Sequence, residues 1–255
     1  MKNKANNLTG KEWLQNSFSI WREIKKTKEE KLFSHPASYP VALCEKLILT
    51  FTRPEARVLD PFSGIGSTMQ AVKNLEYSGV GIDLSKEYSD IARTRLEGYE
   101  KVTIINEDSF VALRDKTLEP FDICVTSPPY WDILNMSRTA DGKTSKSYSE
   151  STNDLGNISN YENFLDKLKN LFTLVYENLK NDSYCLINVM DLRKKSEFYP
   201  LHSDLAYKLR EIGFIFDDLI IWDRQSDYNN MRPLGYPYRF RINKVHEYIL
   251  IMYKK

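Results

Sequence analysis

Thr126-Ser127-Pro128-Pro129-Tyr130-Trp131 follows the apolar run Phe121-Asp122-Ile123-Cys124-Val125 directly. Each proline sets its own φ, restricts the residue before it and lacks an N–H, so the turn is stiff and offers carbonyl oxygens beside the Ser127 hydroxyl. A hydroxyl on one side and two rings on the other make a candidate ligand site. The same residues also describe core aromatics after a strand that ends on proline.

A second candidate is Asp60-Pro61-Phe62-Ser63-Gly64-Ile65-Gly66-Ser67-Thr68, placed where a first strand turns into a helix, the position at which open α/β sheets bind ligands. Glycines there let backbone approach a ligand closely. A phosphate-cradling loop needs a third glycine or a following Gly-Lys-Ser/Thr, and neither is present. An acidic Asp60 in front of the turn also disfavours pyrophosphate and suits a cationic ligand. Asp83 ends the next strand nineteen residues after Gly64, where a carboxylate can accept from both ribose hydroxyls. Asp108 ends a third strand and is placed to accept from an adenine amino group. Three acidic strand ends in line describe an adenosine with a positive charge and no phosphate, which is S-adenosylmethionine. The competing reading is a plain turn with three helix-capping aspartates.

These residues need a scaffold, and from Arg57 onward short apolar runs alternate with amphipathic stretches, the pattern of an α/β domain with a largely parallel sheet. Strands are expected at 57–60, 78–83, 101–106, 121–126, 184–189, 215–222 and 246–253, with helices at 68–75, 86–99, 161–179 and 201–212. In the long helix, Phe164, Leu165, Leu168, Leu171, Phe172 and Val175 keep a 3.6-residue period. Seven strands with interposed helices predict a Rossmann-like, doubly wound sheet with helices on both faces. Asp132 to Asn160 and Asp223 to Lys244 break the alternation as long irregular segments, which are usually functional or disordered.

Length and composition are compatible with this plan. A chain of 255 residues with 42% hydrophobic content supports one sizeable domain, burying roughly 70–75% of its unfolded surface. With 36 basic against 35 acidic residues, net charge points to no partner class, and any basic face must be local. Cys44, Cys124 and Cys185 lie far apart in apolar runs and read as buried thiols of a reducing compartment. His35, His202 and His246 form no paired ligand spacing, so no metal is expected. The polar start at Met1 to Gly10 is no secretory signal, and no apolar window approaches membrane-spanning length, which makes a soluble cytoplasmic protein the expectation.

Together, Asp60-Pro61-Phe62-x-Gly64-x-Gly66-Ser67-Thr68 and Thr126-Ser127-Pro128-Pro129-Tyr130 resemble the amino-group DNA methyltransferases, which act on N4 of cytosine or N6 of adenine. His35-Pro36-Ala37-Ser38-Tyr39-Pro40 is similar to that family's cofactor-binding segment, and Gly213-Phe214 through Trp222-Asp223 and His246-Glu247-Tyr248 to its later strands. The resemblance covers residues 33–255 as one catalytic domain, with 1–32 as an N-terminal arm. It implies Ser127, Pro128, Pro129 and Tyr130 as the catalytic turn. It implies His35, Pro36, Asp60, Pro61, Phe62, Gly64, Gly66, Ser67, Thr68, Asp83 and Asp108 around S-adenosylmethionine, with S-adenosylhomocysteine as product. Ser127 and the Pro128 carbonyl would accept the two hydrogens of an exocyclic amine, and Tyr130 would stack on a base flipped from the duplex. Serine in first position favours cytosine, since members with Asp or Asn there usually act on adenine.

Family members usually carry a dedicated recognition region, and the short stretch between the two motifs leaves no room for one. Recognition of double-stranded DNA is therefore expected from the two irregular segments, the arm, a homodimer or a partner subunit; a cognate restriction endonuclease is a further partner the family admits. Asp223 to Lys244 sets Arg224, Arg232, Arg239, Arg241 and Lys244 against only Asp223 and Asp227, interleaved with Tyr228, Tyr236, Tyr238 and Phe240. Trp131, Arg138, Lys143, Arg224, Arg232, Tyr236, Arg239 and Arg241 are the candidate DNA contacts, although an ordinary surface loop has similar content. The Lys- and Glu-rich stretch 23–31 reads as a solvated helix face.

Overall fold

The computed structural model describes residues 4–22, 24–33, 38–115, 117–132, 154–194, 196–228 and 233–255. Helix α1 (Gly10–Asn16) opens on a capping box in which Thr9 and Glu12 satisfy each other's backbone N–H groups, and strand β1 (Ile20–Trp21) follows. Next come α2 (Val41–Phe51), β2 (Arg57–Asp60), α3 (Ser67–Asn74), β3 (Ser78–Asp83), α4 (Lys86–Arg95), β4 (Val102–Asn106), α5 (Ser109–Ala112) and β5 (Phe121–Thr126). The second half holds α6 (Tyr161–Asn178), β6 (Leu179–Val189), β7 (Leu192–Lys194), β8 (Glu197–Tyr199), α7 (Leu201–Arg210), β9 (Ile215–Asp223) and β10 (His246–Lys254).

The main sheet runs β1-β9-β10-β6-β5-β2-β3-β4. Every pairing is parallel except those of β10, which lies antiparallel between β6 and β9. Side chains alternate between the two faces of each strand, so the sheet supplies two cores at once. On one face Leu59, Cys124, Cys185, Ile187 and Leu250 meet Phe164, Leu168, Phe172 and Leu205 of α6 and α7. On the other, Val58, Ile123, Val125, Leu186 and Ile249 meet Leu43, Leu47, Met69 and Val72 of α2 and α3. The doubly wound expectation holds, and all seven expected strands are present.

Two corrections concern the N-terminal segment. The sheet has eight strands, because β1 pairs in parallel with Ile221 and Trp222 of β9 and buries Trp21. A two-residue strand carries no period that a sequence can show, and its pairing is entirely non-local. The stretch expected as a solvated helix is also not one where it is described. Residues 24–27 run without helix, Ile24 accepts a bond from the Trp222 indole at 3.2 Å, and Lys26 is partly buried. Strand β1 thus forms one edge of the main sheet.

The three thiols are free and buried, and burial pushes those of Cys44 and Cys124 up from their ordinary range. No helix among the described residues is long and apolar enough to cross a membrane.

Candidate active site

The topology brings the carboxyl ends of β2, β3, β4 and β5 side by side, so that both sequence motifs meet at one edge. Gly64 and Gly66 take left-handed φ values of 53° and 80°, which lets the chain after β2 double back before α3 begins. A Cβ at Gly66 would lie 3.0 Å from that of Ala92, so only glycine fits between the turn and α4. Asp83 holds the turn from beside it: its carboxylate accepts from the Gly64 N–H at 2.7 Å and from the Ser85 N–H at 2.8 Å. Ser109 ties the next strand end in by donating to the Pro61 carbonyl at 2.6 Å. Asp108 caps α5 through the Phe110 N–H and stays partly exposed. Pro61 and Phe62 form the floor of the turn, and Ser67 and Thr68 are buried in the first turn of α3.

Asp60 departs from its expected role. It is 1% exposed and wrapped by protein donors: the Thr126 hydroxyl at 2.6 Å, the Thr68 hydroxyl at 2.5 Å, the Tyr39 hydroxyl at 3.1 Å and the Phe62 N–H at 3.0 Å. Burial nevertheless holds its carboxyl above the usual range. A carboxylate so enclosed joins the glycine turn to the end of β5; it does not present a free charge to a ligand. His35 and Pro36 lie outside the described residues, as do Arg138, Lys143 and Arg232.

The Ser-Pro-Pro-Tyr turn leaves β5 beside β6 and β10. The Ser127 hydroxyl donates to the Asn188 carbonyl at 3.2 Å and lies 3.1 Å from the Tyr130 hydroxyl. Tyr130 in turn donates to the Glu247 carboxylate at 2.7 Å, and the Asn188 amide nitrogen donates to both Tyr130 and Glu247. Arg224 closes the chain on the other Glu247 oxygen and also reaches Asp227 at 3.3 Å. Burial first, and Glu247 second, push the Tyr130 phenol well above its ordinary value, so it stays a donor. Asn188 and Glu247 were not anticipated from sequence. The available signal was a polar residue inside each of two apolar strands, where a buried charge requires partners.

Two of the residues expected to contact DNA, Trp131 and Arg224, are engaged by the protein itself. Trp131 is 4% exposed, donates to the Ile158 carbonyl at 2.8 Å, and packs against Tyr161 and Tyr199 with Lys194 4.0 Å from its ring centre. It braces the Ser-Pro-Pro-Tyr turn from inside, as a core aromatic does. Arg224 is engaged by Glu247, whose acceptance of three donors makes it the hub of the cluster. Replacing Glu247 by alanine should cost about 2–3 kcal/mol in urea unfolding, below the range for fully buried pairs because the Arg224 side chain keeps 25% exposure. Tyr236, Arg239 and Arg241 lie in 233–244, with Tyr236 and Arg239 exposed.

The family model of the DNA methylases, which covers N6 and N4 enzymes, matches residues 1–94 and 121–255. The chain belongs to that family. The match includes the N-terminal segment, in keeping with β1 being part of the sheet. Among curated relatives of this chain, the type II methyltransferase M.BglII of Bacillus subtilis is 37% identical over 97 residues, covering 37% of this chain and 27% of the relative. The orphan methyltransferase M.BamHII of Bacillus amyloliquefaciens is 42% identical over 88 residues, covering 32% of each. These matches thus span between a quarter and a third of the relatives' length. Among solved structures, a precorrin-6y C5,15-methyltransferase from Geobacter metallireducens is 12% identical with a TM-score of 0.55, covering 91% of this chain and 100% of that one. A SAM-dependent O-methyltransferase from Thermotoga maritima is 12% identical with a TM-score of 0.52, covering 89% and 70%. The chain shares the fold of these methyltransferases.

The residues present fit S-adenosylmethionine. Glycines at 64 and 66 leave backbone without side chains at the carboxyl end of β2, and the Asp108 carboxylate stays partly exposed after β4. Phe62, Ile105 and Phe110 add apolar surface beside Asp108.

Proposed function

We propose that this protein transfers a methyl group from S-adenosylmethionine to the exocyclic amino group of a base in double-stranded DNA, with N4 of cytosine as the favoured position. The observation that carries this reading is the setting of the Ser127 hydroxyl. Its one proton can go to the Asn188 backbone carbonyl at 3.2 Å or to the Tyr130 hydroxyl at 3.1 Å, and in either case the oxygen keeps a lone pair to accept from an amine. The Pro128 carbonyl, held by the ring of Pro129, is the second acceptor for the same amine.

An exocyclic amine is a poor nucleophile because its lone pair is delocalised into the ring. Two acceptors on its hydrogens favour a tetrahedral nitrogen and leave the lone pair aimed away from them. Their hold strengthens as the nitrogen gains positive charge, so it lowers the barrier more than it stabilises the bound base. Tyr130 is held through its hydroxyl by Glu247 and Asn188, which fixes the ring against which the flipped base would stack, worth roughly 1–3 kcal/mol. When bound, S-adenosylmethionine supplies an electrophilic methyl on positively charged sulfur and leaves as S-adenosylhomocysteine. Asp83 would take the ribose hydroxyls, Asp108 the adenine amino group, and Gly64 to Gly66 the close backbone approach. The amine's surplus proton leaves to water, since no conventional general base is required once the nitrogen is alkylated.

Labelled methyl should move from S-adenosylmethionine to unmethylated duplex DNA, and nucleoside mass spectrometry of the product should show N4-methylcytosine. N6-methyladenine would replace the base assignment and keep the reaction class. Label found only in RNA or protein would remove DNA as the substrate.

A further inference from the structure

A cleft of about 270 Å³ opens between the β7–β8 hairpin and the segment 239–244. It is lined by Arg193, Phe198, Arg239, Phe240, Arg241, Ile242 and Lys244, four cations with no carboxylate among them. Its cations gather on an aromatic ring: the Lys244 ammonium lies 5.0 Å and the Arg193 guanidinium 5.4 Å from the centre of Phe198. Beside them, Phe240 is 92% and Tyr238 95% exposed, the most exposed aromatic rings in the described structure. Such rings beside clustered positive charge are costly to leave in water and complementary to an anion that carries a flat apolar group.

The cleft is built and not merely a stretch of loop. Gly235, at φ 77°, turns the chain so that its carbonyl accepts from both the Tyr238 and Arg239 N–H groups, at 2.9 and 2.8 Å. A Cβ at Gly235 would collide with the Arg239 carbonyl, so the turn that delivers Arg239 demands glycine. On the opposite wall, Arg193 and Phe198 are direct cross-strand partners in the hairpin. The same hairpin touches the catalytic turn with its other residues. Lys194 pairs with Asp132 at 2.5 Å and lies over Trp131, while Tyr199 packs on the Trp131 ring at 4.9 Å. One two-stranded element therefore separates the cleft from the turn at Ser127 to Trp131.

We infer that this cleft is a DNA strand site, in which Arg193, Arg239, Arg241 and Lys244 hold a backbone phosphate and Phe198 and Phe240 receive an adjoining base. The inference rests on the DNA methylation reading and adds to it a location and two residues, Arg193 and Phe198, that lie in no segment expected to contact DNA. Phosphate contacts set register and orientation without reading sequence, so the cleft would seat the strand relative to the catalytic turn through the hairpin. Bases stack on aromatic rings irrespective of their identity.

The test compares the full-length protein with its Arg193→Gln/Lys244→Gln variant for binding to a mixed-sequence DNA duplex across a salt series. The variant should bind roughly tenfold or more weakly, and the slope of log affinity against log salt should fall by about one to two, reflecting lost phosphate contacts. Phe198→Leu/Phe240→Leu should weaken binding and leave that slope near the wild-type value. Affinity for S-adenosylmethionine should be unchanged in both, showing that each variant is folded. Wild-type duplex affinity and slope in the Arg193→Gln/Lys244→Gln variant would overturn the cleft while leaving the methylation reading intact. No duplex affinity in the wild-type protein, or binding to RNA alone, would overturn both.

Discussion

Alanine at Ser127 should lower the rate of methyl transfer to duplex DNA by about 10²- to 10³-fold, with affinity for S-adenosylmethionine unchanged. Ser127 meets none of the residues assigned to the cofactor; its bonds run to Asn188 and Tyr130. Losing its hydroxyl removes one of two acceptors for the amine and leaves the other, so the loss should fall on kcat more than on KM. Combining it with Pro128→Ala should abolish detectable transfer, because the residue that carries the second carbonyl then loses the fixed φ of its own ring, which Pro129 does not supply. Single-turnover transfer of labelled methyl measures both. A Ser127→Ala protein with wild-type kcat would show that the hydroxyl is only part of the buried network it joins.

The second large effect is on stability. Asp60→Ala would strand the Thr126, Thr68 and Tyr39 hydroxyls and the Phe62 N–H without their common acceptor, and should cost about 4 kcal/mol in denaturant unfolding. Asp60→Asn keeps the shape and one acceptor oxygen and should cost less. The pH dependence separates them further. Because burial raises the carboxyl pKa in the folded protein, the unfolded chain loses this proton first as pH rises. The contribution of Asp60 to stability is therefore flat below the unfolded value, falls between the unfolded and folded values, and is flat again above. Asp60→Asn should remove that decline, which urea unfolding at a series of acidic pH values would record. A loss of cofactor affinity without any loss of stability would return Asp60 to the ligand.

The alternation of short apolar runs with amphipathic helices was sufficient for the fold, because burial on both faces of a parallel sheet forces that pattern on the chain. The turns were equally legible at Gly64, Gly66 and Ser127 to Tyr130, where backbone geometry admits few residue types. Trp131 shows the limit of such reading. A ring after a catalytic turn has the same sequence whether it faces DNA or the core, and here Tyr161, Tyr199 and Ile158, all distant in sequence, enclose it.

Sequence alone determined that a glycine turn and a Ser-Pro-Pro-Tyr turn each end a strand, since those constraints are local. Tertiary structure alone decided what the charges do: Asp60 became the clasp between the two turns, Arg224 the partner of Glu247, and Arg193 a neighbour of Lys244 across a cleft. The reason is that a charge is assigned by what surrounds it in space, through desolvation and donors brought from remote strands, and no spacing along the chain encodes those neighbours.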